Sequence, residues 1–197
     1  MKILKNIFVS FFILFILINN SWSKSASEFI NTLSTEASNI LSSKLSENEK
    51  IKRLKEIGEK SVDIEGVGFY TLGKYRKTLT DSQKKQYKEL FKDYFLKSFS
   101  GRLVGYTDAK IAVLSEEIKN EKYTIVNSKL IGTSERPEVK INWRVYTKDP
   151  ENPLIRDLVI EGLSLARTQK EEFNSIISNN DGNIEALFEN LNKFIEN

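Results

Sequence analysis

Few residues in this sequence could do enzyme chemistry, because it contains neither histidine nor cysteine. The absence of histidine removes the imidazole base on which Ser-His-Asp and Cys-His nucleophilic schemes depend. The absence of cysteine removes thiolate nucleophiles, disulfides, iron–sulfur clusters and zinc sites built on Cys and His. Catalysis would therefore have to use carboxylates, Lys, Tyr or Ser, or a metal held by carboxylates.

Asp157 and Glu161 are the plausible acid/base pair. They stand at positions i and i+4 of a predicted strand, which places them on one face and about 13 Å apart. A glycosidase pair needs a separation of about 5–10 Å, so this strand alone does not supply one. Either a partner from another element completes an enzyme site, or both carboxylates accept structural hydrogen bonds near the strand ends.

Two further motifs have simple interpretations. Gly66-Val67-Gly68 lacks a third glycine and the strand-to-helix context of a dinucleotide loop, so nucleotide binding is not predicted. A basic cluster is either a solvated face or a patch for phospholipid headgroups or an acidic partner; its members are Lys74, Arg76, Lys77, Lys84 and Lys85. The net charge of +3 argues against a dedicated polyanion partner, so no nucleic acid is expected.

The N-terminal 23 residues have the pattern of a secretory signal peptide. Lys2 and Lys5 precede an apolar run over 7–18, and Ser21 and Ser23 provide small residues for cleavage after Ser23. The alternative is a membrane anchor, but the run is shorter than the roughly 20 residues that a bilayer requires. Export with cleavage near Ser23 is therefore predicted, and loss of both lysines leaves a nearly neutral mature chain.

The elements that must position these residues follow from hydrophobic periodicity. Apolar residues at three- and four-residue steps predict a helix over 26–45, and capping boxes at Ser46 and Thr80 begin two more. A short helix over 64–72 ends at Gly73, in the left-handed conformation. Two C-terminal helices are predicted, over 168–178 and from about 184 to 195.

Between these helical parts the hydrophobic period changes from 3.6 to 2. Four β-rich runs, 110–115, 123–131, 139–147 and 154–161, are separated by short polar turns and predict an antiparallel meander. The fold class is therefore α+β, with a four-stranded antiparallel sheet packed against several helices. Residues 24–197 are predicted to form a single domain with a helical part over 26–106, the sheet over 109–162 and C-terminal helices over 167–195.

The helix that begins at Thr80 carries a stripe of aromatic and aliphatic side chains. Tyr87, Phe91 and Tyr94 recur at helical spacing, and Phe95 and Phe99 continue the same stripe. Such bulk either fills a core or forms one wall of a cavity between the helix and the sheet.

The sequence from Phe69 onward resembles the MlaC family, also called the toluene-tolerance auxiliary family. The likeness is carried by Leu72-Gly73-Lys74-Tyr75-Arg76, by Thr80 and Gln83, and by the spaced aromatics that follow. Downstream, the segment from Asp157 to Leu165 is similar to the family's Asp-x-x-x-Glu-Gly-x-Ser-Leu signature. The chain departs from the family at Arg76, where relatives have Trp, and at Gln169-Lys170, where they have Tyr-Arg.

The resemblance implies a periplasmic phospholipid-binding protein with an NTF2-like cavity between sheet and helices. It implies no catalysis, no metal and no cofactor apart from bound phospholipid. Its implied partners are phospholipid, an inner-membrane ABC transporter complex and an outer-membrane lipoprotein–porin complex, contacted transiently by a monomer that maintains outer-membrane lipid asymmetry. The alternative function is an exported carboxylate enzyme, isomerase- or hydrolase-like, on a cone-shaped α+β fold.

On this interpretation the acyl chains lie between the aromatic helix and the inward faces of the third and fourth strands. The predicted lining comprises Phe69, Leu72, Tyr75, Leu90, Phe91, Tyr94, Phe95, Phe99, Trp143, Val145, Leu158 and Ile160. The headgroup is expected at the mouth, near solvent, while Asp157, Glu161 and Ser164 orient the strand end and the following helix.

Overall fold

The computed structural model describes residues 25–134 and 136–197, so the predicted signal peptide lies outside the described residues. The helices are α1 (Ala26–Ser42), α2 (Glu47–Ser61), α3 (Ile64–Thr71), a 3-10 helix (Gly73–Lys77), α4 (Asp81–Leu103), α5 (Leu165–Ser178) and α6 (Glu185–Glu196). The strands are β1 (Ile111–Asn120), β2 (Tyr123–Leu130), β3 (Val139–Tyr146), β4 (Leu154–Ile160) and β5 (Leu163–Ser164). The predicted α+β class is confirmed.

Local capping explains where the helices begin and end. Both predicted capping boxes are present: Ser46 accepts from the Glu49 backbone at the start of α2, and Thr80 accepts from Gln83 at the start of α4. Each cap satisfies backbone N–H groups that have no partner within the helix. Gly73 has φ +57° directly after α3, as predicted, because glycine takes the left-handed conformation without a steric penalty.

The sheet is an antiparallel meander in which each strand pairs with its sequence neighbours, from β1 to β5. The prediction of four strands was one short. β5 pairs with β4 through a tight turn at Glu161 (φ +47°) and Gly162 (φ +85°). α5 therefore begins at Leu165 rather than at 168, because Ser164 caps its first turn.

β1 is longer than the predicted run over 110–115 and extends to Asn120. The pairing with β2 shifts register between Val113 and Ser115, so Leu114 lies in a bulge. A bulge breaks the two-residue alternation of side chains. The sequence pattern therefore did not predict the strand beyond residue 115.

The apolar core divides into three clusters. The sheet cluster joins the inner face of the sheet to the N-terminal half of α1, with Ile30, Val126 and Val145 fully buried. The helical cluster joins α3, α4, α5 and α6, and a small third cluster joins the C-terminal end of α1 to α2. α1 thus belongs mainly to the sheet, whereas α2 packs on α4.

The two larger clusters meet where α2 passes into α3. Val62 packs against both clusters and forms a bridge with Ile155 of β4. Asp63 accepts a hydrogen bond from Arg156 Nε at 2.6 Å and donates its own N–H to the Ile155 carbonyl at 2.9 Å. Within the described ranges, no helix is long and apolar enough to cross a membrane.

Candidate functional site

An open groove of about 780 Å³ lies between α1 and α2. Ligand sites in proteins usually have volumes of about 300–1,000 Å³. The apolar side chains of the groove come from both helices and from the segment between them; they are Phe29, Leu33, Ile40, Leu45 and Ile57. The groove therefore offers an apolar floor to a ligand of substantial size.

The floor of the groove rests on the sheet. Phe29 and Leu33 pack against the sheet cluster, and Leu33 also packs against the third cluster between α1 and α2. The N-terminal end of α1 is fixed to β1, because Glu116 Oε2 accepts a hydrogen bond from the Ser27 backbone at 2.7 Å. A carboxylate is favourable at this position, where the helix dipole is positive.

The rim of the groove carries charges of both signs, contributed by Glu36 of α1 and by Glu49, Lys52, Arg53, Glu56 and Lys60 of α2. Glu49 is engaged by the cap of α2: hydrogen bonds from the Ser46 hydroxyl and backbone lower the pKa of its carboxyl, and Arg53 acts in the same direction. The other five lie at exposed positions. The groove is therefore apolar inside and mixed in charge at its opening.

Four of the predicted lining residues lie together on the inner face of the sheet. Trp143 and Val145 of β3 are buried, and Leu158 and Ile160 of β4 are half-buried, all within the sheet cluster. The indole N–H of Trp143 donates to Ser128 Oγ at 2.8 Å, which satisfies its polar atom. These four, the sheet group, lie in the cluster that Phe29 and Leu33 join to the groove.

The other eight predicted residues, the helix group, lie on the helical side. Phe69, Leu72, Tyr75, Leu90, Phe91, Tyr94 and Phe95 belong to the helical cluster, and Phe99 stacks on Phe95 with ring centroids 5.7 Å apart. Leu72 and Phe91 are almost fully buried. The structure thus brings the predicted lining into two separate groups, and the lipid-binding role of either group stays a prediction.

The groove residues themselves were missed as site residues. Phe29, Leu33 and Ile57 were recognised only as apolar positions of amphipathic helices. An apolar stripe has the same periodicity whether it faces a filled core or an open groove, so the sequence held no signal that separates the two.

Asp157 and Glu161 are both engaged in hydrogen bonds of the fold. Asp157 accepts hydrogen bonds from Ser164 Oγ at 2.7 Å and from the Ala166 N–H at 3.0 Å, and Arg144 Nη1 lies 3.3 Å away. Glu161 lies in the turn after β4 rather than in the strand, where it accepts from the Lys140 N–H. Both carboxylates hold backbone in place, which is the structural alternative given above.

The residues of the basic cluster, and those at which the chain differs from the family pattern, lie at the surface or make ordinary side-chain contacts. Lys74 lies over the Tyr75 ring at 5.1 Å, and Lys84 pairs with Asp81 at 3.0 Å. Gln169 accepts a hydrogen bond from the Tyr94 hydroxyl at 2.8 Å, and Lys170 lies over the exposed Tyr70 ring. Among the residues that the structure describes, no group of three or more carboxylates could hold a metal ion.

A second groove of about 670 Å³ lies where α2, α4 and α6 meet. One of its cations is already engaged, because Lys97 donates to the Ile195 carbonyl at 2.8 Å and lies over Phe194. This groove is lined by helices alone, whereas Phe29 and Leu33 of the groove between α1 and α2 also pack against the sheet cluster. The first groove is therefore the candidate site.

Comparison with known proteins supports both a family and a fold. A family model described as MlaC protein matches residues 28–193. The solved structure of the phospholipid-binding protein from Ralstonia solanacearum, in complex with a phospholipid, matches with a TM-score of 0.72 at 18% identity and covers 88% of this chain and 98% of that chain. At that identity the likeness shows the fold. A comparison with curated proteins found no match.

Proposed function

This chain belongs to the MlaC family, and from that premise we propose that it is a periplasmic phospholipid carrier. It holds acyl chains in its interior and shuttles lipid between an outer-membrane lipoprotein–porin complex and an inner-membrane ABC transporter complex, which maintains outer-membrane lipid asymmetry. The observation that carries the proposal is the groove of about 780 Å³ with an apolar floor over the sheet. The phospholipid in the structurally similar Ralstonia solanacearum protein supports the same ligand class.

Membership of the MlaC family points to binding and transport rather than to catalysis. The carboxylates that could have served an enzyme are used in the fold, since Asp157 caps α5 and Glu161 holds the β4–β5 turn. A carrier needs neither an imidazole nor a thiolate, so the composition is compatible with this function.

The energetics set the requirements for such a carrier. Moving about 30 methylenes of a diacyl lipid out of water is worth about 24 kcal/mol, at about 0.8 kcal/mol per methylene. A carrier must therefore offer an interior almost as apolar as the bilayer, or it does not load. It must also not bind much better than the bilayer, or it does not deliver.

The division of the core between clusters gives the acyl chains a route inward. α1 packs on the sheet and α2 packs on α4, so the groove marks the boundary between the two layers. The layers are pinned together at Val62 and Asp63, by the bridge to Ile155 and the ion pair with Arg156. Separation of α1 from α2 would widen the groove at the cost of contacts in the third cluster and of the hydrogen bond from Lys50 Nζ to the Leu41 carbonyl.

We place the acyl chains along this boundary. They pass the floor of the groove at Leu33 and lie over the sheet group, Trp143, Val145, Leu158 and Ile160. They continue towards Val62, which packs against both clusters and gives access to the helix group. The headgroup stays at the rim, in contact with water.

Native mass spectrometry of the protein purified from its own host tests the proposal. We expect about one phospholipid per chain, released on denaturation and identified by lipid extraction. Lipid-free protein, with a blank extraction, would overturn the carrier function. Transfer of labelled lipid between vesicles that carry the two membrane complexes tests the shuttling, because a carrier moves lipid only when both complexes are present.

A further inference from the structure

We infer that the rim of the groove selects phospholipids with a zwitterionic headgroup over anionic ones, an inference that rests on the proposed function. The ligand class is a phosphodiester that carries its own ammonium group, as in phosphatidylethanolamine. The juxtaposition that supports it is the mixed-charge rim of the groove.

Unpaired charges of both signs stand at the opening. Lys52, Arg53 and Lys60 lie on α2, and the carboxylates of Glu36 and Glu56 lie on α1 and α2 respectively. None of these five has an ion-pair contact within 4 Å in the part of the chain that the structure describes, and only Arg53 acts on another rim charge, the Glu49 carboxylate. They are therefore available to a ligand at the rim.

The sixth rim charge is already committed. Glu49 accepts hydrogen bonds from the Ser46 backbone and hydroxyl, which hold its carboxylate at the N-terminus of α2. Elsewhere on the same helical layer, some exposed cations have carboxylate partners, since Lys88 pairs with Glu65 and Lys92 with Glu59. What distinguishes the rim is that charges of both signs border an apolar groove.

The rim matches a zwitterion better than an anion. A phosphate group can lie against Lys52, Arg53 or Lys60, and an ammonium group attached to it then reaches a carboxylate. An anionic headgroup finds the same cations but leaves Glu36 and Glu56 unmatched and repelled by its charge. A purely anionic ligand would be better served by a rim without free carboxylates.

The size of the effect follows from the exposure of these groups. Ion pairs between exposed side chains contribute little, and each changes an equilibrium by no more than a few-fold. Two carboxylates that discriminate together give a preference of about fivefold. The preference should decrease at high salt, since screening acts over about 3 Å at 1 M.

Competitive loading tests the inference. Lipid-free protein is incubated with vesicles of phosphatidylethanolamine and phosphatidylglycerol with identical acyl chains in equal amounts, and the bound lipid is identified by mass spectrometry. We expect the natural protein to load phosphatidylethanolamine about fivefold over phosphatidylglycerol at low salt. Glu36→Gln/Glu56→Gln should reduce that ratio to about one while total loading is retained.

A matched control keeps the change in net charge and moves it away from the groove. Glu89→Gln/Glu171→Gln removes two exposed carboxylates from α4 and α5 and should keep the fivefold ratio. Equal loading of both lipids by the natural protein would overturn the selectivity and leave the carrier function standing. An equal shift in the control variant, or no shift in the rim variant, would overturn the assignment to Glu36 and Glu56. Failure to load either lipid would instead overturn the carrier function.

Discussion

Tyr87 is the most deeply buried phenol of the aromatic stripe, with 1% of its surface exposed. Its hydroxyl lies 2.8 Å from Thr71 Oγ1 and donates to the Gly68 carbonyl at 3.1 Å. Burial raises the pKa of Tyr87 well above its usual value. The neutral phenol is thus part of the link between α3 and α4, and its ionisation is incompatible with that link.

Tyr87→Phe should lower the free energy of unfolding by about 1–2 kcal/mol at pH 7, because the hydrogen bonds are lost. The folded pKa is raised, so the stability that Tyr87 contributes is present below about pH 10 and decreases as the pH rises. At pH 11 the difference between the two proteins should shrink by about 1 kcal/mol. Urea unfolding at both pH values measures it, with Tyr106→Phe as an exposed control. A difference that stays constant would contradict the burial argument.

At the scale of single residues, the sequence correctly predicted the features that depend on local backbone conformation. Gly73 and the capping residues Ser46 and Thr80 were predicted correctly, because the conformations they adopt are local. Asp157 could not be assigned from the sequence in the same way. Its partners Ser164 and Ala166 are brought to it only by the β4–β5 turn. The sequence did not predict that a fifth strand follows this turn.

Close contact between α3 and α4 depends on the small size of Gly68. A Cβ atom built there would lie 2.7 Å from Phe91 Cδ1, and Phe91 is buried between neighbouring rings. Gly68→Ala should therefore destabilise the protein by about 1–2 kcal/mol, the cost of overpacking less the gain in helix propensity. Gly101→Ala in α4 meets no atom within 4 Å and should stabilise it by up to about 1 kcal/mol. Thermal unfolding of both variants measures the contrast, and equal effects would refute it.

The groove and the helix group can be tested separately by adding bulk rather than charge. Leu33 of α1 lines the groove and Leu90 of α4 belongs to the helix group, and both are half-buried. Leu33→Trp should fill the floor of the groove and reduce lipid loading at least tenfold, whereas Leu90→Trp should leave loading within about twofold. Loading from labelled vesicles, with circular dichroism as the check on folding, measures both.

The reverse pattern would move the acyl chains from the groove to the aromatic layer. Loss in both variants would place the chains between the two groups, as the sequence alone suggested. Full loading by both variants, each correctly folded, would exclude both the groove and the helix group as the lipid site.

At the element scale, the sequence predicted the α+β class and its order of helices, strands and helices, but not how the helices divide between layers. α1 and α2 have similar amphipathic patterns, yet α1 packs on the sheet and α2 on α4. Periodicity shows that a helix buries one face and does not show against what. The groove arises from that division, so the site could not be located from the pattern alone.

At the scale of the whole described structure, a sheet layer with α1 and a helical layer are joined at Val62 and Asp63 and by the third cluster between α1 and α2. Without disulfides, its stability depends on packing within and between these layers. A lipid that lies along the boundary replaces some of the contacts between the layers. The bound ligand is then part of the core, and its removal affects the molecule as a whole.

Removal of the lipid should therefore lower stability and loosen one layer selectively. A ligand that binds only the folded state adds about 2.7 kcal/mol at 100 times its dissociation constant. For a chain of this size that corresponds to about 5–10 °C in the thermal midpoint. Scanning calorimetry of loaded and solvent-stripped protein measures this shift, and reloading should restore it.

Hydrogen exchange then locates the change. Amides of α1 should exchange faster in the stripped protein, because α1 covers the proposed site. Amides of α4 should keep their protection, because this helix is packed in the helical cluster through Tyr87 and Phe91. Equal loosening of α1 and α4 would mean that the lipid lies between both groups of lining residues. If the exchange rates of the α1 amides do not change, the lipid does not lie in the groove, because a helix that covers a ligand loses protection when that ligand leaves.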